Sequence, residues 1–139
     1  MWLNDEIIPG KSLGGVCLDE KVDFAVERFS LHYDVKVGDG VVKFNDDLII
    51  LGYDKNRLIY SVMCGVGYPH RFSGKLWAGM TVAEVVENSR TQVAWGGCVI
   101  VDGINGIGLP LPSGLDDFEV LTDFLEFDYV FPNLSVFRL

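Results

Sequence analysis

Seven short runs rich in apolar residues, each bounded by glycine, aspartate or asparagine, govern what this chain can fold into. His32–Val37 and Val41–Phe44 flank Gly38-Asp39-Gly40, and Leu48–Tyr53 and Leu58–Cys64 flank Asp54-Lys55-Asn56. Such linking residues supply the positive φ, or the side-chain bonds to backbone, that a tight reversal needs. Both pairs therefore predict β-hairpins. Gln92–Trp95, Cys98–Val101 and Gly106–Leu111 continue the pattern, with turns at Gly96-Gly97 and Asp102–Asn105. Ser135–Leu139 is expected to close an edge. Gly65–Lys75, with its Gly, Pro and Ser, reads as a loop between two halves.

Helical spacing enters at three places. Val22, Ala25, Val26 and Phe29 stand at i, i+3, i+4 and i+7, which predicts a helix over about Asp19–Phe29. Val82, Val85 and Val86 predict a second over Val82–Asn88, opened by Thr81 and Glu84 at capping-box spacing. A third is expected over Leu115–Phe127, with Phe118, Leu121 and Leu125 in one apolar line widened by Phe124. The expected fold is α+β, an antiparallel sheet or sheets packed by two or three short helices in one domain, 1–139.

A faint repeat overlies this order. At a shift of 64 positions Gly10-Lys11 falls on Gly74-Lys75, Gly15-Val16 on Gly79-Met80, and Glu20 on Glu84. With a one-residue slip, Val37–Val41 falls on Ile100–Ile104. The units would be two tandem helix–sheet repeats, 8–66 and 72–139.

Charge is uneven along the chain. From Thr91 to Phe137 there are seven carboxylates and no lysine or arginine, so most of the net charge of −9 belongs to the C-terminal third. The acids are Asp102, Asp116, Asp117, Glu119, Asp123, Glu126 and Asp128. A chain this acidic is a poor ligand for nucleic acid or anionic membrane, which need clustered Lys and Arg. On the expected third helix, Asp116, Asp117 and Glu119 favour the positive end of the dipole. Asp123, Glu126 and Asp128 would oppose its negative end with no base at i±3 or i±4. Those acids, with Trp95, Tyr129 and Tyr68 as candidate aromatic anchors, therefore mark a face for a basic partner.

Signatures for chemistry are weak. Gly10-Lys11-Ser12 lacks the glycine a phosphate loop needs five positions earlier, where Asp5 stands. His32 and His70 have no Cys or His at zinc-finger spacing, so no metal or other cofactor is expected. Cys17, Cys64 and Cys98 are odd in number, widely spaced and set in or beside apolar runs. They read as free, partly buried thiols in a reducing compartment. Met1–Glu6 is acidic and unlike a signal peptide, so a cytoplasmic location is expected.

Gly79-Met80-Thr81-Val82-Ala83-Glu84-Val85 resembles the G-M-T-x-x-E/Q-V segment of small helix-plus-sheet modules. These occur in outer-membrane assembly lipoproteins and, in tandem, in secreted beta-lactamase inhibitor proteins. The first copy departs from it, with Cys17 for Thr and Lys21 for Val. The resemblance implies two helix–sheet repeats that grip another protein. In length, acidity and its acidic close, the chain also resembles bacterial immunity proteins of the contact-dependent growth inhibition and polymorphic toxin type. That likeness implies a non-enzymatic inhibitor of a cognate, basic, nuclease-type toxin domain, bound through Asp116, Glu119, Asp123, Glu126, Asp128, Tyr129 and Trp95. Two other readings stay open. One is a non-catalytic binding or assembly module for a neutral partner or small ligand, using Tyr33, Tyr53, Tyr60 and Trp95. The other is a small enzyme with Cys or carboxylate chemistry.

Overall fold

The computed structural model describes residues 2–115 and 117–139; Met1 and Asp116 lie outside the described residues. Three two-residue strands come first, β1 (Ile7–Ile8), β2 (Ser12–Leu13) and β3 (Val16–Cys17), and pair as a small antiparallel sheet. Helix α1 (Val22–Phe29) follows. It leads into a meander of β4 (Val35–Val37), β5 (Val41–Phe44), β6 (Ile49–Tyr53) and β7 (Ile59–Cys64). The second half runs α2 (Val82–Asn88), β8 (Gln92–Trp95), β9 (Cys98–Val101), β10 (Ile107–Pro110) and β11 (Leu134–Phe137). The last eight strands form one antiparallel sheet in the order β4-β5-β6-β7-β11-β10-β9-β8. The fold is α+β, as the sequence predicts. No helix among the described residues is long and apolar enough to cross a membrane.

Each half is thus a helix followed by four strands, and the two meanders join at their last strands. Leu134 faces Cys64 and Phe137 faces Ser61. Strand β11 lies at the centre of the sheet, not at the edge that its place in the sequence suggests. Leu134, Ser135 and Val136 are all buried, which a one-sided edge strand would not achieve.

The 64-residue shift has a backbone counterpart. Gly10 and Gly74 have φ of 71° and 63°, and Gly15 and Gly79 have 97° and 94°. These are conformations that side chains resist. Glu20 accepts from the Cys17 N–H at 2.9 Å, and Glu84 accepts from the Thr81 N–H at 3.0 Å. The later part of the match does not persist. Gly38–Gly40 links the first and second strands of its meander, whereas Asp102-Gly103 links the second and third. Register is lost because α2 starts directly after Thr81, while α1 starts only at Val22, beyond Cys17.

The helices bury most of the faces their spacing dictates, but Val86, expected to point inward, is 37% exposed because it sits at the groove beside β8, and Val26 is only partly buried. Val22, Ala25 and Phe29 of α1 and Val82 and Val85 of α2 meet Val42, Phe44, Leu51, Val62, Val101 and Leu134 in one core. Each buried Val, Leu or Phe among them contributes roughly 1.5–3 kcal/mol by leaving water, and Ala25 less. The capping box of α2 is complete, with Glu84 N–H donating to Thr81 Oγ1 at 3.1 Å. Helix α1 begins at Val22 and not at Asp19, whose φ of 66° is not helical. Likewise His32 and Tyr33 precede β4, His32 stacking on Trp2.

The expected third helix does not form. Among the described residues between β10 and β11, the one helical element is a 3-10 turn at Leu121–Asp123. Phe118 instead pairs with Ala94 on the outer edge of β8, through N–H···O bonds of 3.0 and 3.3 Å. That pairing satisfies edge backbone groups that a helix would leave open. A helix would also have set Glu119 against Asp123 and Asp123 against Glu126, like charges at destabilising spacing. The apolar line still reaches the core without it. Leu121 is buried, Phe118 and Leu125 are partly buried, and Phe124 stacks on Phe118 at 4.6 Å.

Candidate functional site

The dipole reading of the acidic stretch lapses with the helix, and the structure sorts its carboxylates differently. Asp102 accepts from the Arg90 and Thr91 N–H groups at 2.7 and 3.0 Å and pairs with Lys75. The Lys75 ammonium first, and then those two N–H groups, hold its carboxyl down to about 2. Asp117 accepts from the Gly96 N–H at 3.0 Å and so pins the β8–β9 turn. These two acids have structural work. Asp116 lies outside the described residues.

Glu119, Asp123, Glu126 and Asp128 are exposed, and none forms an ion pair among the described residues. The ion pairs among the described residues use Asp19, Glu20, Asp23, Asp46, Asp47, Asp54 and Asp102. Large apolar side chains surface between the four free acids. Val120, Phe124, Phe127 and Val130 are each about half exposed. A groove beside β8 is lined by Val86, Val93, Glu119, Val120 and Phe127, and Arg90 also borders it.

The anchors separate in the same way. Trp95 is 66% exposed and stands at the rim of the sheet. Tyr129 is partly buried edge-on to Phe131 at 5.1 Å, and burial raises its pKa. It belongs as much to the core as to the surface. Tyr68 is buried and donates to the Asn4 carbonyl at 2.7 Å, so it is no anchor.

A second feature was not visible in the sequence. Alternation sends Val62, Cys64, Val99, Val101, Leu134 and Val136 towards the helices, and Ser61, Met63, Cys98, Ile100, Ser135 and Phe137 to the other side. That open face holds a cavity of about 570 Å³, walled by Tyr60, Met63, Trp95, Ile100, Phe137 and Leu139. Its floor is low because Ser61 and Ser135 are small and Ser135 pairs with Gly108. A Cβ on Gly108 would stand 2.8 Å from the Val99 carbonyl oxygen. The available signal was Cys98-Val99-Ile100-Val101, an unbroken apolar run that leaves neither face of β9 polar.

Of the tyrosines named for a sheet-face site, Tyr60 reaches the cavity. Tyr33 packs among Trp2, Phe29 and Phe44, and Tyr53 donates to the Gly38 carbonyl at 3.0 Å. Burial pushes the Cys64 thiol up to about 12 and the Cys98 thiol up to about 11, so both are protonated near neutral pH. Cys17 is exposed, unlike the partly buried thiol its apolar neighbours suggest. No group of three or more His, Cys, Asp or Glu converges as metal ligands would among the described residues. No family model, curated protein or solved structure matches the chain.

Proposed function

We propose that this chain is a cytoplasmic immunity-type inhibitor that binds a cognate basic toxin domain through the acidic segment beside β8. The observation that carries this reading is the clustering of unpaired charge. Exposed carboxylates without an ion-pair partner among the described residues also occur at Asp5, Glu6, Glu27, Asp34, Asp39 and Glu87, but Glu119, Asp123, Glu126 and Asp128 crowd into one segment that holds no lysine or arginine. Left unpaired, they attract a cationic surface and speed encounter. The exposed Phe124, Phe127 and Val120 among them supply the apolar area that charge alone lacks. Inhibition then needs only occlusion of the toxin's substrate surface, with no turnover by this chain.

The test takes as partner any secreted protein with a basic C-terminal domain that is found encoded beside this gene. Asp123→Lys with Glu126→Lys should slow association by about tenfold at low salt and weaken cellular protection. Unchanged protection together with an unchanged on-rate would reject the reading. A second reading, a module for a neutral partner or small ligand, draws support from the apolar cavity beside Tyr60 and Trp95. Salt-indifferent binding of the partner would favour it.

A further inference from the structure

The geometry points to the open-face cavity as the seat of an apolar side chain of the same cationic partner, making cavity and acidic segment one docking surface. This inference rests on the inhibitor reading. Continuity comes first. Val93 lines the groove that Glu119, Val120 and Phe127 border. Its cross-strand partner, Ile100, walls the cavity. Val93 is itself 45% exposed, and Trp95, two residues on along the same face of β8, forms the cavity rim. An exposed apolar path therefore runs from the acidic segment around the β8 edge onto the open face.

Charge selects the occupant. Glu119 stands at the segment end of this path, where Arg90 also borders the groove, and Asp123, Glu126 and Asp128 follow along the segment, so the acids there outnumber the base. The charged group in the cavity wall, Arg138, is already held by Asp19 at 2.7 Å and Asp54 at 3.2 Å. A cationic segment meets unbalanced carboxylates here, while an acidic one meets repulsion. The cavity size lies within the roughly 300–1,000 Å³ of built binding pockets. Its Trp, Tyr, Phe and Met walls are the surroundings in which a single buried anchor carries much of an interface's energy. The first half of the same face offers nothing similar. Lys36 and Lys43 face each other across β4 and β5 there, paired with Asp46 and Asp47.

The test uses three labelled, amidated peptides, one with a central phenylalanine flanked by lysines, one with serine in its place, and one with phenylalanine flanked by glutamates. Amide signals of the ¹⁵N-labelled protein are followed during titration, and affinity is read by fluorescence polarisation. The lysine–phenylalanine peptide should move Met63, Ile100 and Phe137 together with Glu119 and Asp123, and bind about tenfold more tightly than either control. Trp95→Ala, at an exposed position that spares the fold, should remove most of that advantage. If the cavity signals stay still, or Trp95→Ala binds like wild type, the inference is overturned. Binding still weakened by Asp123→Lys with Glu126→Lys would then leave the inhibitor reading standing alone. Equal binding of the glutamate–phenylalanine peptide also overturns the inference and favours a neutral partner.

Discussion

The two halves of the main sheet share a frame and differ in what they do with it. Each is a helix and four antiparallel strands, and their last strands, β7 and β11, are neighbours. In the first half a tight turn joins the third strand to the fourth, with Asp54 accepting from the Asn56 and Leu58 N–H groups at 2.9 and 3.0 Å. In the second half the same connection is the long excursion 111–133. The open face differs too. Lys36 and Lys43 with their aspartates cover the first half, whereas Val93, Trp95, Cys98 and Ile100 occupy the second. The frame accounts for stability in both halves. The departures from it, the excursion and the apolar open face, fall together on the second half, and that is where a partner's surface would dock.

The comparison can be broken most forcefully at the root of the excursion. Phe131 is fully buried and its backbone bonds Gly79 and Met80 at 2.7 Å each, so the excursion is bolted to the core at that point. Phe131→Ala should cost about 3–5 kcal/mol in chemical denaturation. Phe44→Ala, its fully buried counterpart in the first half, should cost a similar amount. A loss near zero at Phe131 would make the excursion an appendage.

The helix starts sharpen the comparison with a smaller effect. Thr81→Ala breaks the capping box and should cost about 1 kcal/mol. Cys17→Ala, at the matching place, should change stability by less than about 0.5 kcal/mol, because α1 has no side-chain cap and Cys17 is exposed. Equal losses would mean that the two starts are energetically alike.

Asp102 gives the second half a dependence on acid. Its folded pKa, about 2, lies below its unfolded value of about 3.9. The stability it supplies is therefore present above pH 4 and lost as pH falls towards 2. Asp102→Asn should flatten that part of the pH–stability curve.

Much of the frame was legible in the sequence because local chemistry sets it. Gly38–Gly40, Gly96-Gly97 and Thr81–Glu84 each fix a turn or a helix start within a few residues. What failed depended on distant pairing. The 115–127 segment has helical spacing, but Ala94 draws Phe118 into the sheet. Nothing near Ser135 announces that it will pair with Met63, and the cavity floor depends on that register. The acidic residues were recognised from charge alone. Their division into structural ones, Asp102 and Asp117, and unpaired ones, Glu119 to Asp128, required the fold.

The most direct measurement compares two double reversals with the same change in net charge. Asp123→Lys with Glu126→Lys alters the second half, and Asp46→Lys with Asp47→Lys alters the first. Association with the basic partner domain is timed across ionic strength, where screening acts beyond about 8 Å at physiological salt. A docking surface on the second half predicts slow, weakly salt-dependent association for the first variant and near-wild-type behaviour for the second. Equal slowing by both would contradict it, because net charge rather than the β8 edge would then govern encounter.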